Sequence, residues 1–505
     1  MEVQAPLLIL LVTLLLGLLY NYASSPRKGS AARNLPPSLP LFSLLTAIAG
    51  ISWPSAPSLA DINHLLHRLQ AFRGPITSLC LPFCTAVFIS DVDLANQVLV
   101  NNGSAVSDRI RPSTPIHRHT PENFGVAISP YGEAWRSLRR NLVSGFVTPS
   151  STKHFAGARR QVKEKLLERF TSEAAESAGI VNFRNNLSRV FYSLLVSMCF
   201  GRDLDDRETV ELDRTMKSMI SESAVLLFFS FLPRLIQKVF SKFLFSKNGG
   251  KHSAGILLHL LKNGRDHLHA TCYADTLLEF ELPADNKGGG KRKLREDEIL
   301  DLCAEFIGAS GHNTPIALEW IMAELVNHPR VQGRLAEELF LLGRIDGDQE
   351  MTSSPYLRAV VMEGIRLHPP SPSFFRLVGK EFEVGGYAVP KGALVFFNAA
   401  SMGVDERLWE DPLKFFPERF LAAGKNAKLM AFGGGRRMCA GSESAVFILS
   451  YFVAHLVKEF EWRPTAAQGG EQVDMSAKMD FFMPMKTPLR ACIVRRDNKN
   501  TNKTA

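Results

Sequence analysis

The stretch FGGGRRMCAG, residues 432 to 441, sets Cys439 in a loop with four glycines and two arginines. No other segment restricts the fold as much, because this loop has to be laid against something large. Glycine lets the backbone turn left-handed and approach a bulky partner closely. Nearby arginines lower a thiol's pKa and attract an anionic group. The arrangement suits a thiolate presented to something flat and negatively charged, and the rest of the chain must build the slot for it.

The chain has room for such a slot: 505 residues, 46% of them hydrophobic, can bury a large core. Seven cysteines (Cys80, Cys84, Cys199, Cys272, Cys303, Cys439 and Cys492) are scattered and odd in number. That argues against a disulfide framework and for a reducing compartment. Cys80 and Cys84 lack later partners or nearby histidines, which argues against zinc. The net charge of +9 is spread along the chain with no interleaved aromatic basic motif. It fits attraction to an acidic protein or anionic lipid and argues against nucleic-acid binding.

Residues 6 to 23, PLLILLVTLLLGLLYNYA, are almost uncharged and close to the ~20 residues that span a bilayer. A cleaved signal peptide would want a basic residue before the apolar run, and none is there. Arg27, Lys28 and Arg33 follow the run, which places the downstream chain in the cytoplasm. Residues 1–25 thus read as a retained transmembrane signal anchor and 26–45 as a basic, proline-rich linker. Residues 46–496 read as one globular domain and 497–505 as a polar tail. A second apolar stretch, 224 to 246, is interrupted by Pro233, Arg234, Lys238 and Lys242. It reads as an amphipathic element dipping into the membrane surface or as an ordinary buried helix.

Apolar residues recur at three- and four-residue intervals in 158–170, 184–200, 295–328 and 442–460, predicting helices. Residues 76–90 predict two short strands around Pro82, and 382–398 predicts strand, turn, strand. The polar, glycine-rich 285–297 predicts a solvated connection. The fold class is mainly α with a small β-rich part.

Phe432, Gly435, Arg437, Cys439 and Gly441 match F-x-x-G-x-R-x-C-x-G at every fixed position. This resembles the cysteine loop of the haem-thiolate monooxygenases, the cytochrome P450 superfamily. The resemblance implies haem b bound through Cys439, with Arg437 on a propionate. A thiolate ligand pushes electron density toward iron and favours O–O cleavage. The glycines would let backbone N–H groups turn toward the sulfur.

Other motifs extend the resemblance over nearly the whole chain. Trp135 and Arg139 in YGEAWRSLRR resemble the family's W-x-x-x-R helix, whose members serve a propionate. Glu363 and Arg366 resemble its E-x-x-R pair, joined by Arg419 of FFPERF in a structural cluster behind the haem. Arg376 resembles a residue often set against a propionate. YGEAWRSLRRNLVSGFVTPS, ALEW and WEDPLKFFPERF resemble plant microsomal members, with a weaker likeness to groups that hydroxylate or epoxidise fatty acids. The implied architecture is the cytochrome P450 fold with an N-terminal membrane anchor helix.

The central helix departs from the pattern. Plant members carry A-G-x-D-T-T where this chain has Ala309, Ser310, Gly311, His312, Asn313 and Thr314. His312 replaces the acid and Asn313 the first threonine of the proton-feeding pair. Thr314 lies one step, about 100°, around the helix. Pro315 has no N–H for the Gly311 carbonyl and predicts a kink. His312, Asn313 and Thr314 are the candidate catalytic residues, with His312 able to carry protons near neutral pH.

The resemblance implies a monooxygenase using O2 and NADPH electrons. These would arrive through NADPH–cytochrome P450 reductase, docked near Arg139, Arg140 and Arg436. The substrate would be small and lipophilic. It would lie among the 103–126 loop, the 224–246 segment, Ala309 and residues 373–375. The implied location is the endoplasmic reticulum membrane, spanned once, with the catalytic domain on the cytoplasmic face. Two alternatives stand beside it. A haem-thiolate isomerase or dehydratase of lipid hydroperoxides would need no proton relay, and a non-catalytic haem-binding protein would oxidise no substrate.

Overall fold

In a computed structural model the described residues are 34–38, 74–81, 84–110, 124–148, 153–229, 249–263, 271–283, 290–343, 354–422, 428–465, 472–478 and 482–496. The apolar run 6–23, most of the linker, residues 230–246, the 111–123 part of the pocket loop and the tail lie outside them. Among the described residues no helix is long and apolar enough to cross a membrane.

Strands β1 (Ile76–Leu81) and β2 (Cys84–Ile89) open the fold, followed by α1 (Val92–Asn96) and a π turn over Gln97–Asn101. Then come α2 (Glu133–Phe146), α3 (Ala156–Glu176), β3 (Ile180–Asn182), α4 (Phe183–Phe200), α5 (Asp206–Phe229), α6 (Gly249–Asn263) and α7 (Tyr273–Leu278). The β4 (Glu281–Pro283) and β5 (Lys291–Lys293) pair precedes the long α8 (Glu296–Asn327), α9 (Pro329–Leu341) and α10 (Pro355–Leu367). Strands β6 (Ser373–Leu377), β7 (Phe382–Val384), β8 (Tyr387–Val389) and β9 (Leu394–Asn398) lead to α11 (Ala399–Gly403). Helix α12 (Ser442–Glu459), β10 (Phe460–Arg463) and β11 (Arg490–Arg495) complete the order.

Helix α8 is the axis. Its 32 residues give a rod about 48 Å long at 1.5 Å per residue. Glu296, Asp297 and Glu298 crowd its first turn, where negative charge complements the helix dipole. The Glu298 carboxylate accepts from the Arg295 N–H at 2.9 Å and from Arg292 through two N–H groups at 2.7 Å each. Burial of Gly311, Thr314, Ala317 and Leu318 shows how tightly the middle is packed, and the expected kink does not interrupt the helix. It runs through Pro315 unbroken, because tertiary packing outweighs a single missing bond.

Helix α4 lies against α8 and is buried continuously from Val190 to Phe200. The Asn182 side chain caps its start, and Gly201 at φ 67° ends it. Ser354 caps α10 by accepting from the Leu357 N–H at 3.2 Å, with Pro355 in the first turn.

The main sheet has the order β1-β2-β9-β6, with only β2 and β9 parallel. Gly385 and Gly386, at φ 58° and 81°, form the turn joining β7 to β8, a tight hairpin that needs positive φ at both positions. Residues 34–37 dock on this end of the molecule. Ser78 donates to the carbonyls of Pro36 and Pro37, and Ala388 N–H donates to that of Asn34 at 2.7 Å. The expected loop at 285–297 is corrected in part. Lys291–Lys293 pairs antiparallel with Glu281–Pro283, since the main-chain ladder needs no apolar side chains.

Candidate active site

The cysteine loop is built by backbone constraints. Cys439 N–H donates to the Phe432 carbonyl at 2.9 Å, closing the loop. Gly435 has φ +66°, and a Cβ there would lie 2.1 Å from the Leu99 carbonyl oxygen. Only glycine lets the loop pass so close to the π turn. Gly441 is different: a Cβ would meet only Val147, at 3.9 Å. Its part is played by its N–H, which bonds the Cys439 sulfur and draws the thiol pKa down.

Cys439 is accessible, yet enough protein surrounds it that burial raises its thiol pKa on balance. The Gly441 N–H, Arg139 and Arg109 pull the other way. An accessible sulfur with cations and an N–H assembled around it is suited to bonding a metal as thiolate.

Arg437, Arg376 and Arg109 converge beside it. Arg437 donates to the carbonyls of Ser107 (2.8 Å), Val126 (3.1 Å) and Ser129 (2.6 Å) and lies over the Trp135 ring at 4.2 Å. Arg376 donates to the carbonyls of Phe375 (2.9 Å) and Arg437 (3.3 Å). Burial, then Arg109, pushes Arg437 down to about 10, and burial followed by Arg109 and Arg437 pushes Arg376 well below the usual range. Arg109 is pushed down by burial, and its buried Nε has no hydrogen-bond partner.

Trp135 and Arg139 share a helix face as expected, but their polar atoms meet protein. Trp135 Nε1–H donates to the Val126 carbonyl at 2.8 Å, and Arg139 donates to that of Met438 at 2.7 Å.

Glu363, Arg366 and Arg419 come together in a second cluster. Arg366 donates to both Glu363 oxygens at 2.7 and 2.8 Å, and Arg419 donates to Glu363 Oε1 at 3.0 Å. Phe416 N–H adds a fourth bond at 2.9 Å, and Arg366 also ties down the carbonyls of Gly403 and Pro412. All three residues are buried.

On α8, Ala309 is exposed although Phe306, Ile307, Gly311 and Thr314 around it are buried. Asn313 Nδ2 donates to the Ala309 carbonyl at 2.9 Å, and Ser371 Oγ donates to Asn313 Oδ1 at 3.1 Å. His312 Nδ1 lies 3.2 Å from the Tyr192 hydroxyl, and its ring stacks on Phe482. Burial, aided by Lys217, pushes His312 down to about 4. Its imidazole is therefore neutral near pH 7. Thr314 is buried on the neighbouring face.

Two residues of the site escaped the motif reading. Arg109 sits in irregular chain, where no periodicity marks it. Glu305, one turn before Ala309, accepts from the Ala127 N–H at 2.7 Å. Burial raises it to about 7, against the pull of that N–H and of Arg109. A lone acid in the apolar run LCAEFIGA was its signal.

These residues fit a haem. The sulfur supplies a soft anionic ligand for iron. Three crowded guanidiniums, one with an orphaned buried N–H, supply the positive field that carboxylates such as propionates would neutralise.

A family model described as "Cytochrome P450" matches residues 40–489. The chain is 34% identical to cytochrome P450 89A9 of Arabidopsis thaliana, covering 92% of this chain and 94% of that one. It is 29% identical to the geranylhydroquinone 3''-hydroxylase of Arnebia euchroma (95% and 97% covered) and 28% to the geraniol 8-hydroxylase of Catharanthus roseus (84% and 88%). A zebrafish cytochrome P450 structure with progesterone superposes with a TM-score of 0.72 at 22% identity, covering 86% of this chain and 99% of that chain. With its cysteine loop, its buried Glu–Arg–Arg cluster and this whole-length likeness, the chain belongs to the cytochrome P450 family and is a haem monooxygenase.

Proposed function

We propose that the enzyme inserts one atom of O2 into a C–H or C=C bond of a small lipophilic substrate, by hydroxylation or epoxidation. The observation that carries this reading is the accessible Cys439 sulfur, backed by the Gly441 N–H with Arg139 and Arg109 close by. Haem b bound non-covalently through that sulfur supplies oxygen binding and O–O cleavage; the chain has no C-x-x-C-H attachment motif. Arg376, Arg437 and Arg109 hold its propionates, with Trp135 and Arg139 bracing the loop. The Glu363–Arg366–Arg419 cluster fixes where the loop sits.

Electrons come from NADPH through a membrane-bound reductase. Arg136, Arg140 and Arg436 are exposed, and so is Met438, at 39%; Arg136 and Arg436 both lie over the Tyr131 ring. This basic rim with an apolar centre suits an acidic partner. Residues 1–25 anchor the domain 46–496 to the endoplasmic reticulum membrane, 26–45 link them, and Arg27, Lys28 and Arg33 keep the domain on the cytoplasmic face.

The test is spectroscopy and turnover of the full chain. Carbon monoxide on the reduced protein gives the thiolate signature, and NADPH with reductase gives an oxygenated product from a panel of lipophiles. Cys439→Ala abolishes both, and its retention of either overturns the assignment. A second reading, rearrangement of lipid hydroperoxides, is favoured by Asn313, whose amide is bound at both ends within the protein. Product from a hydroperoxide without NADPH would decide for it.

A further inference from the structure

We propose that Tyr192 holds His312 in the neutral tautomer with its proton on Nε2, so that the residue standing where relatives carry an acid acts as a fixed hydrogen-bond donor. Where that donor works rests on the monooxygenase reading; the tautomer itself does not.

A buried hydroxyl must find a hydrogen-bond acceptor. Tyr192, on α4, is 1% exposed, and its ring is pressed against α8 so closely that a Cβ at Gly311 would lie 2.6 Å from it. Among the described residues its hydroxyl has one hydrogen-bond partner, His312 Nδ1 at 3.2 Å. If Nδ1 carried the proton and donated, the tyrosine hydrogen would be buried with no acceptor, at the full desolvation cost of that group. If the hydroxyl donates, both atoms are satisfied and the imidazole proton must sit on Nε2.

The surroundings select the neutral ring. Across the interface α5 contributes Lys217, which opposes a positive imidazole, and Asp213, which opposes a phenolate at Tyr192. These two are themselves paired. Phe482 covers one face of the imidazole at 5.9 Å and brings no charge. Burial pushes the histidine down and the tyrosine up, so neither ionises near pH 7. Nε2 makes no hydrogen bond among the described residues, and His312 is only half-buried. An N–H is thus left for a water or a substrate oxygen. A carboxylate in this place would accept; this histidine donates. Tyr192 is a positioning residue.

The experiment uses the full-length holoenzyme in lipid nanodiscs, reduced and carbon-monoxide-bound so that it is diamagnetic, with 15N-labelled histidine. Long-range proton–nitrogen correlation reads the tautomer, and the His312 signals are the set missing from His312→Gln among the 13 histidines. The expected spectrum has Nε2 protonated and Nδ1 bare, unchanged between pH 6 and 8. Tyr192→Phe should move the tautomer ratio about fivefold toward Nδ1–H, the loss expected of one hydrogen bond. A wild-type Nδ1–H tautomer, an imidazolium at pH 7, or an unmoved ratio in Tyr192→Phe would each overturn the proposal. NADPH-dependent product formation, measured on the same samples, tests the monooxygenase reading separately.

Discussion

Gly435 and the Leu99 carbonyl meet so closely that a single added methyl group would stand 2.1 Å from the oxygen. The contact joins the cysteine loop to the π turn at Gln97–Asn101 and fixes the height at which Cys439 is presented. Gly435→Ala adds a clash to a left-handed backbone whose strain alone costs about 1–3 kcal/mol. Haem incorporation and the carbon monoxide signature should both be lost. Gly433→Ala, at φ +69° but with its nearest neighbour 3.7 Å away, should retain part of each. Equal loss in the two variants would show that strain and not the Leu99 contact is decisive.

Arg366 donates to Glu363 and to two backbone carbonyls, all buried. Truncating one member of such a cluster strands the others' charge at a cost of about 3–5 kcal/mol. Arg366→Met and Glu363→Leu should each lower the unfolding free energy by that amount, read as a fall in the denaturant midpoint at unchanged slope. Arg419→Met, at a residue slightly less buried, should cost less. A double variant costing no more than the worse single one would show that they act as a unit.

Glu305 carries a pH dependence of definite sign. Its carboxyl is raised from 4.5 to about 7 in the folded chain, so the folded state prefers the protonated form. The stability this contributes is complete below about pH 4.5 and is lost as pH rises through 7. Glu305→Gln keeps an acceptor for the Ala127 N–H and removes the titration. Its stability relative to wild type should therefore improve between pH 5 and pH 8, as followed by urea unfolding. Parallel curves would place the titration elsewhere.

Gly311 offers a steric test of the α4–α8 contact. Gly311→Ala forces the Tyr192 ring aside and should cost about 1–3 kcal/mol, the usual penalty of overpacking. Tyr192→Leu, which vacates the space, should recover part of the loss when combined with it. Strict additivity in thermal melts would contradict the contact.

Much of this was legible because it repeats or is local. The helices at 158–170, 184–200, 295–328 and 442–460 follow from spacing, and each lies within a few residues of an observed helix. The cysteine loop and the Glu363–Arg366 pair are local patterns. Arg109, Glu305 and the Tyr192–His312 bond were not legible, since each depends on partners more than a hundred residues away or on irregular chain. The β5 strand was missed because its lysines and arginine look like solvent-facing loop. Pro315 shows the limit of a local cost: it removes one helical bond, yet the residues on both sides of it stay in one continuous helix.

The docking of residues 34–37 onto Ser78 and Ala388 turns the preceding chain into a short leash. Ten residues, 24 to 33, separate position 34 from the end of the apolar run at 23, and at full stretch the eleven steps reach about 40 Å. Were that run embedded in a bilayer, as proposed above, the β1–β2 and β7–β8 corner could neither drift away nor swing to the far pole of the molecule. The enzyme would graze along the lipid surface on that corner, with oily molecules dissolved in the leaflet always within reach.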